Sequence, residues 1–201
     1  MAVDEISLPM TKAESFSSTR LLGTLGMIAS PMLFAEGMLY TLGYGESPNA
    51  RWIGLLGLIY LTGWACSLTG MRRLRATGNG ALSTVFFVTQ LTGLFLAFLF
   101  NMQEITGSNP DTLFFRITDI AWPASHVLML ILGVLVLRAQ VWRGWRTIAP
   151  FLCGLALPVF FAVKTIAGME LSGFVFGIST MVAFMLLGYA VRTSARTAPG
   201  H

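Results

Sequence analysis

A chain of 201 residues that is 55% hydrophobic and only 11% charged, with a mean hydropathy of +0.72, has too little polar surface to clothe a soluble globule. It reads as an integral membrane protein: at about 20 apolar residues per crossing of a hydrocarbon core about 30 Å thick, the length holds six helical crossings and short loops, with no room for a separate soluble domain. The net charge of +4 does not point to nucleic acid, because the basic residues flank apolar segments and form no stripe interleaved with aromatics.

In chain order, residues 1–20 are polar and carry Asp4, Glu5 and Glu14. They lack the short basic start of a secretory signal, and the apolar run that follows is too long for one, so the first crossing is expected to stay attached. Apolar stretches then occupy 21–42, 53–71, 82–102, 119–138, 148–167 and 171–191. The resulting expectation is an all-α bundle of six transmembrane helices spanning 21–191, preceded by a polar segment 1–20 and followed by a short basic tail 192–201. Turn chemistry separates the stretches at 43–51, 75–80, 107–111, 143–146 and 167–170. Ser108-Asn109-Pro110-Asp111 reads as an N-cap with Pro at the first helical position, starting the fourth helix near Pro110. Trp52, Tyr40, Tyr44 and Trp122 are expected in an outer aromatic belt, with Trp142 and Trp145 in an inner one.

Charge then sets the expected orientation. Lys12, Arg20, Arg72, Arg73, Arg75, Arg138, Arg143, Arg146, Arg192 and Arg196 fall on the side shared by both termini, against Arg51, Arg116 and Lys164 on the other. The positive-inside rule makes the first side cytoplasmic, with both termini inside; the hydropathy of six helical spans gives the expectation of an inner-membrane location.

The polar residues inside the apolar stretches gather in the opposite, outer half. Glu36 lies about six residues from the outer end of the first crossing, roughly 9 Å deep at 1.5 Å per residue, and His126 reaches a similar depth in the fourth. Ionisable groups at such depth face a protein interior or a water-filled cavity. Asp119, Trp122 and His126 follow i, i+3, i+7 and share one helix face, as do Gln90, Leu94, Ala97, Asn101 and Glu104 in the third crossing. Lys164 and Glu170 lie near the same end. Pro31, Pro123 and Pro158 each remove a helical hydrogen bond, freeing the carbonyls of Met27, Asp119 and Gly154, and Pro123 is the one expected to open space beside His126.

The candidate site is therefore an outward-facing pocket of Glu36, Asn101, Asp119, Trp122, His126 and Lys164, taking a small polar or cationic solute or passing protons. Glu36 and His126 serve equally well as a buried pair fixing the first crossing against the fourth. Two further readings remain open: a membrane-embedded enzyme or redox subunit holding a quinone, haem or lipid near Trp122 and His126, and a structural subunit packed against membrane partner chains or further copies of itself. No residue pattern calls for a cofactor or metal. His126 is the only His within a crossing, and Cys66 and Cys153 have no metal or redox spacing and read as reduced core residues. No motif of hydrolase, zinc protease or phosphate-binding type is present. Gly26-xxx-Ser30, Gly63-xxx-Ser67 and Gly173-xxx-Gly177 fit close helix packing, expected within the chain more than between copies.

Overall fold

The computed structural model of the protein describes residues 12–42 and 50–197. Among these residues it is all helical: α1 Lys12–Ala29, α2 Pro31–Thr41, α3 Ala50–Arg73, α4 Ala81–Thr106, α5 Leu113–Ala139, α6 Ala149–Ala167 and α7 Met169–Thr197, with a short 3-10 turn at Gly144–Thr147. Six spans are long and apolar enough to cross a bilayer, the first made of α1 and α2 together. The chain is a multi-pass membrane protein. Helix suits this setting because it satisfies its backbone groups internally where no water can.

Consecutive spans are neighbours, and α7 closes the bundle against α1 and α2 while also touching α3. Gly23 lies against Gly188 and Arg192, whereas Phe34 lies against Gly177, so the first span and α7 run antiparallel. Residues near Arg20 and Arg192 thus share one end of the bundle. Arg73 reaches the same end, donating to Ser18 Oγ at 2.6 Å.

The core is built on α3. Tyr60, Trp64, Leu68 and Met71 are buried, meeting Leu94 of α4, Met129 and Leu132 of α5, and Phe184 and Leu187 of α7. Ile28, Val85, Phe95, Ile120 and Phe161 are exposed on the outside, as a lipid-facing surface allows. With no hydrophobic drive between helices in lipid, close approach at small residues carries the packing. Gly26 abuts Ser67 and Gly63, and Gly63 abuts Ala29; Gly177 meets Phe34. Gly26, Gly63 and Gly177 accordingly serve contacts inside the chain. At Gly133, a Cβ would stand 2.7 Å from Phe151 Cα, which draws α5 and α6 together backbone to backbone.

The prolines fall at different places in their helices. The helix is interrupted at Ser30, and Pro31 begins α2, while α5 and α6 run unbroken through Pro123 and Pro158. The Met27 carbonyl that Pro31 deprives of its helical donor is taken by the Ser30 hydroxyl at 2.8 Å. The fourth crossing starts later than Pro110: Thr112 is the N-cap, its Oγ1 accepting from Phe115 N at 3.2 Å. The Asn109 side chain instead accepts from Asp111 N at 2.9 Å, a local turn that competes with a cap at that position. Of the tryptophans expected in belts, Trp52 and Trp145 are exposed, whereas Trp142 is 4% exposed and belongs to the core. Tyr44 and the Tyr40 side chain lie outside the described residues.

Candidate functional site

A cavity of about 280 Å³ opens among α2, α3, α4, α5 and α7, in the half of the bundle away from Arg20 and Arg192. Glu36 enters its wall from α2, Asn101 from α4, and Asp119 and Trp122 from one turn of α5. These four of the expected site residues converge. The carboxyl oxygen Oε2 of Glu36 is buried with no hydrogen-bond partner among the described residues, and Glu36 lies within electrostatic reach of Glu104.

Asn101 is buried by the helical repeat that places Gln90, Leu94 and Ala97 on the same face. Its Nδ2 donates to the Ala97 carbonyl one turn back at 3.0 Å, which fixes the amide and leaves Oδ1 against Gly57 of α3. A Cβ at position 57 would overlap the amide, so any larger residue there requires Asn101 to leave its place. Toward the same end of the bundle, Gln103 Nε2 donates to Thr118 Oγ1 at 2.8 Å and ties α4 to α5 one residue before Asp119.

His126 and Lys164 are not in the cavity wall. His126 is fully buried one tier behind it, its ring 4.8 Å from Trp122, 5.0 Å from Trp64 and 5.8 Å from Phe184. Its Nδ1 lies 3.0 Å from the Cys153 carbonyl of α6. A carbonyl only accepts, so Nδ1 carries the proton and donates. Nε2 has no partner among the described residues, so the alternative in which His126 and Glu36 form a buried hydrogen-bonded pair is not what the structure shows. Helical spacing does put Trp122 and His126 on one face, but the aromatic rings packed around His126 separate it from the cavity. Lys164 is exposed on α6, with Nζ 6.0 Å from the Phe160 ring, and none of the described residues of α6 enters the wall. The side chain of Glu170 lies outside the described residues.

The residues missed from sequence are aromatic. Tyr60, Phe100 and Phe176 line the cavity, and the Tyr60 hydroxyl is buried without a hydrogen-bond partner among the described residues, within electrostatic reach of Glu36. A signal for Tyr60 existed: Ile53, Gly57, Tyr60 and Trp64 follow helical spacing, and a mid-span phenol needs a partner. Among the described residues no group of three or more His, Cys, Asp or Glu could hold a metal ion.

The fold and this site define a polytopic α-helical membrane protein with a carboxyl-bearing, aromatic-walled cavity in one half of its bundle. The chain matches no protein-family model, no curated protein and no solved structure.

Proposed function

We propose that this protein binds, and moves across or along the membrane, a small solute or ion held in the cavity among Glu36, Asn101, Asp119 and Trp122. The observation that carries the reading is the buried Oε2 of Glu36, unpartnered among the described residues, in a cavity wall. A carboxyl withdrawn from water costs several kcal/mol unless something pairs with it, and an occupant of the cavity supplies that partner. The volume, close to the lower end of small-molecule pockets, suits a ligand of a few heavy atoms. His126 positions Trp122, and Lys164 stands apart.

The distribution of Lys and Arg supports an inner-membrane location with both termini cytoplasmic and the cavity opening toward the outer face. A reporter fused after Arg196 is expected to be active in the cytoplasm, and activity on the opposite side would reverse the orientation.

Binding is tested on the purified protein in lipid nanodiscs, with thermal unfolding followed across amines, amino acids, sugars and alkali-metal salts. A ligand at about 100 times its Kd adds about 2.7 kcal/mol to stability. At least one compound is expected to raise the midpoint of the wild type and not of Glu36→Gln or Asn101→Ala. If no compound does so, while both substitutions lower the midpoint, the polar cluster is internal glue and the protein is a structural subunit.

A further inference from the structure

We infer that the occupant of this cavity presents an organic ammonium group, an inference that rests on reading the cavity as a solute site and specifies its ligand. Charge gives the first argument. Two carboxyl side chains, Glu36 and Asp119, line the cavity, and among the described residues no Lys, Arg or His does. An anion would face two carboxyl groups and no basic side chain, whereas a cation supplies the counter-charge that an ionised Glu36 carboxylate needs.

The second argument separates an organic cation from a metal ion. Hard cations are held by six or more oxygens at short range, and among the described residues no group of three or more His, Cys, Asp or Glu gathers to supply them. It carries four aromatic side chains, Tyr60, Phe100, Trp122 and Phe176, beside the polar groups. Aromatic walls are a recurrent recognition device for ammonium ligands, because a ring quadrupole attracts a cation whose alkyl body also packs against it.

The third argument is preorganisation. Trp122 packs at 4.8 Å on His126 and 5.6 Å on Phe176, Tyr60 at 5.2 Å on Phe184, and Phe100 at 5.1 Å on Phe115. His126 is itself tethered to the Cys153 carbonyl. The rings therefore lose little freedom when a ligand enters. With about 30 Å³ per water, the cavity has room for about nine waters, which accommodates a tetramethylammonium-sized group.

The test is calorimetric titration of tetramethylammonium chloride into the protein in phosphatidylglycerol nanodiscs, where no lipid carries an ammonium. Saturable binding is expected for it and for choline, whereas 3,3-dimethyl-1-butanol, the neutral carbon isostere of choline, should not bind. Glu36→Gln should raise the apparent Kd roughly tenfold or more, as loss of a charge-assisted contact implies. Asp119→Asn should weaken binding in the same direction, and the exposure of Asp119 keeps the test open if the buried Glu36 substitution impairs folding. Repeating the titration at constant phosphatidylglycerol content, and hence constant surface charge, with a neutral galactolipid in one set of discs replaced by phosphatidylethanolamine in the other, separates the two sources of the group. A raised apparent Kd in the latter identifies a lipid headgroup as the occupant, and an unchanged Kd identifies a free solute; both support ammonium recognition. Equal binding of the neutral isostere, or tetramethylammonium binding unaffected by both substitutions, overturns the inference. If an anionic or neutral solute binds in a Glu36-dependent way, the solute site stands and the ammonium assignment falls. If nothing binds, both fall.

Discussion

His126 combines two attachments whose energies differ. It packs against Trp64, Trp122, Phe176 and Phe184 and donates through Nδ1 to the Cys153 carbonyl. Hydrogen bonds inside helical membrane proteins contribute about 0.6 kcal/mol on average, whereas emptying a large buried aromatic position costs about 3–5 kcal/mol. Packing therefore dominates. His126→Phe, which keeps a ring and loses the donor, is expected to cost about 1 kcal/mol or less, while His126→Ala should cost about 3 kcal/mol or more; unfolding midpoints in detergent would show the difference. Equal losses would mean that the hydrogen bond, not the rings, holds α5 to α6. At Gly57 the steric argument is sharper, because a methyl there would enter the Asn101 amide. Gly57→Ala should destabilise by about 1–3 kcal/mol and also weaken any ligand response, since Asn101 must leave its place. Gly80 is the matching control, because a methyl added there meets nothing within 4 Å, and Gly80→Ala should leave the midpoint near that of the wild type.

Among the elements, the first span presents Glu36 to the cavity, and α6 packs behind α5, the helix that carries Asp119 and Trp122. The interruption at Ser30 and Pro31 begins α2, the short helix that presents Glu36. The carbonyl it leaves without a helical donor is satisfied locally, by the Ser30 hydroxyl on Met27 O. Ser30→Ala should therefore lower stability by about 0.5–1.5 kcal/mol, measured as a shift in thermal midpoint; no shift would mean that the Met27 carbonyl finds another donor. Between α5 and α6 the contact is backbone on backbone at Gly133 and Gly154. Gly154→Ala, with a Cβ 2.5 Å from Leu130 N, cannot be absorbed by a side-chain rotation. A loss of about 1–3 kcal/mol is expected, and a neutral result would show that the two helices can part without cost.

At the scale of the whole molecule, charge and hydropathy act on different parts of the problem. Apolar length determined six crossings, because each must match the hydrocarbon thickness, and the helical repeat alone marked Gln90, Leu94, Ala97 and Asn101 as the buried face of α4. The same repeat aligned Trp122 with His126, which do pack together. These features are local: they depend on residue type and on 3.6 residues per turn. Periodicity gives the face of a helix and the depth of a residue, but not the neighbour toward which that face is turned. Tertiary structure decided that Glu36, Asn101, Asp119 and Trp122 share a cavity wall, that His126 at similar depth stands behind the rings, and that Lys164 lies on a helix outside the wall. It also decided that Tyr60, Phe100 and Phe176 complete the wall. The physical reason is that the rotation of each helix is fixed by close packing at positions such as Gly23 against Gly188 and Gly133 against Phe151, contacts between residues far apart in the chain that no local pattern encodes.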